Sequence, residues 1–377
     1  MSGGPPAGEF RFPIAGPADD AAVRRLLREN PMPGALALTL EREPSSFIGA
    51  ALEGDVHDTV LCVAPDGRVV GLGSRAVRDG FINGEPARVG YLGQLRLDPA
   101  YRFRRRLIER AFAVLHERHR ATGGARVYAT TIIEDNRVAR RLLGSGRLRI
   151  PTYREREAFC TLALPLRRPP RLGPSPGTLV RAAAASDLPA ISACLLRNYA
   201  RYQLAPRWTV EELTHPERTR GLRPEDFFVA LRGGEVVACL ALWDQQRFKQ
   251  SVVRGYSGTL RWTRHLVNAA APLLDLPALP PAGSTLRCAF LSHLAADGDD
   301  GGLLCPLVAK ALARARGEGL DYVTLGLAGR NPLLGAVKRA FRHFEYRAVL
   351  YLVHWEDGTA GAEAIDGRVP HLEVAAI

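Results

Sequence analysis

Apolar positions change their period along the chain, and the changes mark out elements. From Val89 to Leu97 apolar residues alternate with others, the period of a strand with one covered face. Past the turn at Asp98-Pro99, residues Leu107, Ile108, Ala111, Phe112 and Leu115 recur at a spacing near 3.6, which predicts a helix. Between them lies Tyr101-Arg102-Phe103-Arg104-Arg105-Arg106, where a strand hands over to a helix. The first amides of a helix lack intrahelical acceptors and carry the positive end of its dipole, and guanidinium groups add bidentate donors. The pattern predicts a phosphate-binding turn.

The same reading orders the rest of the chain. A short strand around Phe10 to Ile14 comes first, then Asp19-Asp20, placed to cap a helix over Ala21 to Arg28. Pro31 to Gly34 breaks it, and a second helix is predicted around Ser45 to Leu52. Strands Thr59 to Ala64 and Val69 to Val77 flank the hairpin turn Pro65-Asp66-Gly67-Arg68. The helix after the arginine turn ends near Gly123-Gly124, Val127 to Ile133 reads as a buried strand, Asn136 opens a short helix, and Phe159 to Leu164 closes the unit as its last strand. Five prolines fall between residues 165 and 177, so the chain there reads as a linker.

Beyond it the order begins again. The helix positions Leu107, Ile108, Ala111, Phe112 and Leu115 recur as Leu303, Leu304, Leu307, Val308 and Ala311, each 196 residues later, and Asn136 recurs as Asn331 after 195. The organisation expected is an N-terminal domain over 9–166, a linker over 167–177, a C-terminal domain over 178–356 and a weakly patterned tail over 357–377. The fold class is α/β, a mixed sheet flanked by helices, in two tandem domains.

The strand, the turn from Arg102 to Leu107 and the helix resemble the acetyl-CoA-binding motif of the GNAT acyltransferase superfamily, with Arg105 and Leu107 where the family pattern has small residues. Asn136, Ala139 and Leu142 match the second motif of that family. The resemblance implies an acyl-CoA-dependent N-acyltransferase, with acetyl-CoA or another acyl-CoA as donor and a small-molecule or peptide amine as acceptor. It implies that Arg102, Phe103, Arg104, Arg105, Arg106 and Leu107 meet the pyrophosphate, that Asn136 meets the pantetheine arm, and that an amide among Leu95, Arg96 and Leu97 faces the oxyanion. Asn136 reads equally as a helix cap. In the second copy the corresponding turn, Gly298 to Leu303, keeps glycine but carries Asp299 and Asp300, with Asp297 just before it. Carboxylates repel a diphosphate, so the first domain is expected to hold the cofactor.

Acyl transfer to an amine needs a base for the amine proton and an acid for the departing thiolate. Glu134, at the end of the strand before Asn136, is the candidate base; it reads equally as a first-turn acid favoured by the helix dipole. Many family members place a tyrosine seven residues after the asparagine, and here that position is Leu143. Tyr153 is taken as the candidate acid, with Tyr101 the other nearby tyrosine. In the second domain His293, Asn331, His343 and Tyr346 could line a cleft. No metal-ligand spacing is present.

Composition changes this picture little. The net charge is +12, but lysine occurs only at Lys249, Lys310 and Lys338, so the charge reflects arginine usage and suits CoA, acidic metabolites or tRNA alike. The six cysteines are widely separated, without a C-x-x-C pair, and read as buried small hydrophobes in a reducing compartment. No run of about 18 apolar residues suggests a membrane span, and Met1 to Gly8 lacks a signal-peptide layout, so a cytoplasmic protein without membrane partner is expected. Nothing in the pattern calls for nucleic acid, and a homodimer is compatible with it. Two rivals stand beside the transferase reading: a Fem-type ligase taking its aminoacyl group from tRNA, and a non-catalytic acyl-CoA-binding or scaffold protein.

Overall fold

The computed structural model describes residues 9–377 apart from 33, 35, 103, 169, 274 and 275. Helix α1 (Asp20–Glu29), strand β1 (Leu36–Glu41) and helix α2 (Ser46–Glu53) precede three antiparallel strands, β2 (Val56–Val63), β3 (Val69–Ile82) and β4 (Glu85–Leu97). Helix α3 (Arg105–Ala121), β5 (Tyr128–Ile133), α4 (Arg137–Leu143) and β6 (Thr152–Pro165) complete the first half. The second half runs β7 (Thr178–Ala182), α5 (Leu188–Tyr199), α6 (Val210–Thr214), β8 (Phe227–Arg232) and β9 (Glu235–Trp243). After these come β10 (Gln250–Tyr256), α7 (Leu260–Ala270), β11 (Cys288–Ala296), α8 (Gly301–Gly317), β12 (Tyr322–Ala328), α9 (Pro332–Ala340), β13 (Phe344–His354) and α10 (Thr359–Glu363).

Side-chain alternation along β2 divides the first half into layers. Leu61 and Val63 pack against Val23, Leu26 and Leu27 of α1, whereas Val60 and Cys62 face Ile108, Phe112 and Leu107 of α3. Helices thus cover both faces of the sheet. In the second half α8 is buried nearly all round, from Leu303 through Ala315, because α9 packs on the face it turns from the sheet. Pro306 lies inside this helix, so the Gly302 carbonyl loses its intrahelical donor. The hydroxyl of Ser175, from the proline-rich linker, donates to that carbonyl at 3.0 Å, which pins the linker to the helix.

The two halves do not keep their own last strands. The sheet order is β2-β3-β4-β5-β13-β6-β12-β11-β9-β8-β7. Strand β6, expected to close the first unit, pairs instead with β12 of the second half, and β13 from the second half pairs antiparallel with β5 of the first. The exchanged strands pair with each other over Phe344–His354. Both β6 and β13 are apolar on alternating positions and either would satisfy the free edge of β5, so hydrophobic pattern alone does not choose between them.

Three further features depart from the sequence reading. Residues 36–41 form a strand that pairs with β10 in a separate two-stranded ribbon, tying the two halves together a second time. Residues between β9 and β11 form an insertion carrying β10 and α7, where the first half has only the tight turn at Asn83-Gly84 between β3 and β4. The tail beyond 357 packs against both halves: Leu372 shares a core with Val89, Val127 and Ala129 of the first half, Ala376 is buried in the second, and His371 donates its amide to the Gln203 carbonyl.

Candidate functional site

Strand β4 carries a β-bulge. Leu72 pairs with Arg96 and Ser74 with Gly93, so Gln94 and Leu95 together oppose Gly73, and Gln94 takes a φ of 54°. The extra residue resets the alternation: Leu92 before the bulge and Leu95 and Leu97 after it all face the α3 layer. Pairing between β4 and β5 is confined to Gly90 with Tyr128 and Tyr91 with Ala129. Beyond that point the two parallel strands part, leaving the β5-facing backbone of residues 92–97 outside any ladder. Tyr91 and Thr131 bridge the parting, hydroxyl to hydroxyl at 3.2 Å.

The arginine turn stands at the end of this parting. A short 3-10 turn, Pro99–Tyr101, and the N-cap Arg104 lead into α3. The amides of Tyr101, Arg102, Arg104 and Leu107 bond to carbonyls within the turn. Those of Arg105 and Arg106, the first two of the helix, have no intrahelical acceptor available. Arg102, Arg104, Arg105 and Arg106 are exposed, and no carboxylate lies within ion-pair reach of them among the described residues. Arg104 stacks over the rings of Phe10 and Tyr101, with its guanidinium carbon 5.5 and 5.8 Å from their centres. Leu107 turns inward against Phe10, Cys62 and Val70 and leaves the mouth of the turn clear. No residue described in this turn needs a positive φ, so the turn closes without glycine. Phe103 lies outside the described residues.

The structure brings Leu95, Arg96, Leu97 and the arginine turn to one crevice and sets the other expected residues around it. Asn136 caps α4, accepting from the Ala139 amide at 3.1 Å. Glu134 is ion-paired with Arg347 of β13 at 3.2 Å. Tyr153 is packed edge-on against Phe112 and Tyr351 in the layer beneath α3, and burial raises its pKa; no contact joins it to the crevice. Tyr346 arrives from the other half on the exchanged strand β13. It is 42% exposed, burial of its phenol pushes it up to about 12, and the charges it senses are Arg96 of β4 and Asp135.

Residues that the sequence did not single out complete the surroundings. Arg42, Glu53 and His57 line a cavity of about 30 Å³ together with Gln94. Glu53 accepts from Arg42 Nη2 at 3.3 Å and lies 3.4 Å from His57 Nε2. Burial opposes ionisation of Glu53, but the hydrogen bond from His57 and the charges of His57, Arg42 and Lys249 hold its pKa below the ordinary carboxylate value. Such a cluster carries no spacing signal; Arg42 precedes α2 and His57 follows it.

The second half repeats the bulge and closes it. His293 has a φ of 54°, and Ser292 pairs with Ala241 while Ala295 pairs with Cys239, leaving His293 and Leu294 opposite Leu240. Here the tail fills the parting: the His293 amide donates to Glu373 Oε2 at 2.7 Å. The turn is shorter than its counterpart. From β4 to β11 the bulge residues Gln94 and His293 are offset by 199, whereas Arg105 and Gly301 at the helix starts are offset by 196. A single offset of 196 through the turn, as the sequence suggests, therefore misaligns its strand side by three positions. Asp297 accepts from Arg197 and Asn198, and Asp299 from Arg201 and Tyr202. The cavity left there is about 10 Å³, at the lower limit for one water. Of the residues expected to line a cleft in this half, Asn331, which caps α9, lines this cavity, whereas His293 and His343 do not; His343 bonds to the Phe341 carbonyl at 2.9 Å.

No family model matches the sequence, and no curated protein does. Solved structures do. The GCN5-related N-acetyltransferase of Sphaerobacter thermophilus superposes with a TM-score of 0.57 at 16% identity, over 97% of this chain and 98% of that one. The N-myristoyltransferase of Saccharomyces cerevisiae, solved with bound myristoyl-CoA, gives a TM-score of 0.60 at 13% identity over 93% and 80%. At such identities the likeness is one of fold: the chain has the GNAT fold, with β6 and β13 paired across its two halves.

Proposed function

We propose that the protein is an acyl-CoA-dependent N-acyltransferase whose donor site is the parting between β4 and β5. One observation carries this reading: the same bulged strand occurs twice, and in the first half neither a ladder nor the tail takes the backbone beyond the bulge, above a helix start whose arginines have no carboxylate partner among the described residues. Buried or clustered charge is ordinarily paired, and a diphosphate would pair this one. The arginine turn would hold the CoA pyrophosphate, Asn136 would meet the pantetheine arm, and a backbone amide at Leu95 to Leu97 would donate to the thioester oxygen. In the reaction the amine nitrogen forms a bond to the thioester carbon, the carbon–sulfur bond breaks, a base takes the amine proton and an acid returns one to the thiolate.

Two bases are in reach of this scheme. Glu134 stands at the end of β5, and His57, held by Glu53, lines the cavity beside Gln94; His57 is favoured because it shares that cavity with the bulge. For the acid, Tyr346 is favoured over Tyr153, since its phenol reaches the surface beside Arg96 and keeps its proton at neutral pH. The donor's acyl chain length is left to experiment, and acetyl-CoA is the first donor to try. In a thermal-shift titration, acetyl-CoA at about 100 times its Kd adds roughly 2.7 kcal/mol. Arg102→Glu combined with Arg105→Glu abolishes the shift, and Asp300→Arg leaves it unchanged. Absence of a shift with acetyl-CoA and with longer acyl-CoAs removes the reading.

A further inference from the structure

The cavity beside Gln94 is bounded by α1, α2 and the sheet, on the face opposite α3, and its polar lining is Arg42, Ser46, Glu53, His57, Thr59 and Gln94. Arg42 is 5% exposed. Its Nη2 is committed to Glu53, but Nη1 has no acceptor. A buried charged donor left unused is costly, so it stands where a partner is due. Cations also outnumber anions around it. Arg96, depressed by burial and by the charge of Arg42, donates only to the neighbouring Leu95 carbonyl. Lys249 donates to the carbonyls of Ala375 and Ile377 and senses Arg42 and Glu53. Burial pushes the Lys249 ammonium well down from its ordinary value, so the balance is struck between Arg42 and Arg96 on one side and Glu53, the one carboxylate that Arg42 senses, on the other.

An excess of buried positive charge calls for an anion. The proposed function already gives the CoA phosphates to the arginine turn at the start of α3, and a cavity of about 30 Å³ has room for a headgroup rather than a whole molecule. We propose that Arg42 receives the carboxylate of the acyl acceptor, so that the acceptor is a small amino acid, an amine and a carboxylate in one molecule, with its amine turned to His57 and the Gln94 bulge. This assignment of the acceptor rests on the transferase reading; the carboxylate pocket itself does not.

The test uses the full-length protein and matched ligands. L-alanine, L-glutamate and L-phenylalanine are each titrated against the corresponding carboxamide by calorimetry without CoA, then compared as acceptors in thiol release from acetyl-CoA. At least one acid binds tenfold or more tightly than its amide and is acylated with a correspondingly higher kcat/KM, the scale of a charge-assisted hydrogen bond. Arg42→Lys brings acid and amide within threefold of each other, while His57→Gln keeps the binding preference and lowers kcat. Because the acid and amide are compared on the unaltered protein, a variant that fails to fold does not decide the outcome. Equal binding of acids and amides, or no binding of any acid, overturns the pocket. Discrimination between acid and amide with no acyl-CoA thermal shift removes the transferase and leaves the pocket standing.

Discussion

The two copies differ most at the place where they ought to be most alike. Both β4 and β11 carry a bulge with a φ of 54°, yet Glu373 of the tail accepts from the bulge amide of β11, whereas among the described residues no side chain accepts from that of β4. In the first half four arginines face solvent without carboxylate partners among the described residues; in the second the aspartates of the turn are bound by Arg197, Asn198, Arg201 and Tyr202. A bulge amide is therefore a common scaffold feature, and what decides its use is whether the chain supplies its own acceptor. In the second half the tail supplies that acceptor; in the first half the proposed function gives the role to an incoming ligand.

The sharpest way to break this contrast is to separate the copies. A chain cut after residue 166 lacks β13, so β5 keeps an unpaired edge and β6 loses both neighbours. That fragment shows no acyl-CoA thermal shift and no cooperative melt; co-expression with residues 167–377 restores both. Binding by the fragment alone would show that the open copy is independent of its partner.

A smaller effect tests whether the copies melt together. Leu164 on β6 is fully buried in the second-half core, and Leu164→Ala costs about 2–5 kcal/mol. Calorimetry then shows one transition moved down as a whole, because β6 and β13 couple the halves. Two resolved transitions, with only one displaced, would mean that the exchanged strands do not transmit stability.

The mildest test concerns the plug. Burial pushes Glu373 up to about 7, against the His293 hydrogen bond and the charge of Arg78. Its folded pKa lies above its unfolded value, so stability falls as pH rises through the interval between them. Glu373→Gln mimics the protonated form. It stabilises the protein at pH 8 by on the order of 1–3 kcal/mol and changes little at pH 5, read as the difference in Tm at the two pH values. His293 and His371, held by burial near 3 and 4, act in the opposite sense on acidification in both proteins and cancel from that comparison.

Much of this architecture was legible in the chain. Periodicity located α3 and α8, β5 and β12, and the asparagines that cap α4 and α9, because each has one face buried and a cap fixed by local chemistry. The exchange of β6 and β13 was not legible, since the two strands present interchangeable edges to β5 and β12. That one ambiguity moved Tyr346 from the second copy to the first crevice and put Tyr153 under α3. Arg42, Glu53 and His57 escaped notice because they lie on three successive segments that meet only once α2 packs on the sheet. The bulge at Gln94 leaves no mark in composition, although it explains why Leu92, Leu95 and Leu97 share a face despite their odd spacing.

The exchanged strand sets a timetable for synthesis. Residues 344–354 must leave the ribosome before β5 gains its neighbour, so the crevice made by β4, β5 and α3 stays unfinished while about 200 further residues are added. Throughout that interval the edge of β5 is exposed to any other strand in the vicinity, and a chaperone that shields it would raise yield without touching the finished protein.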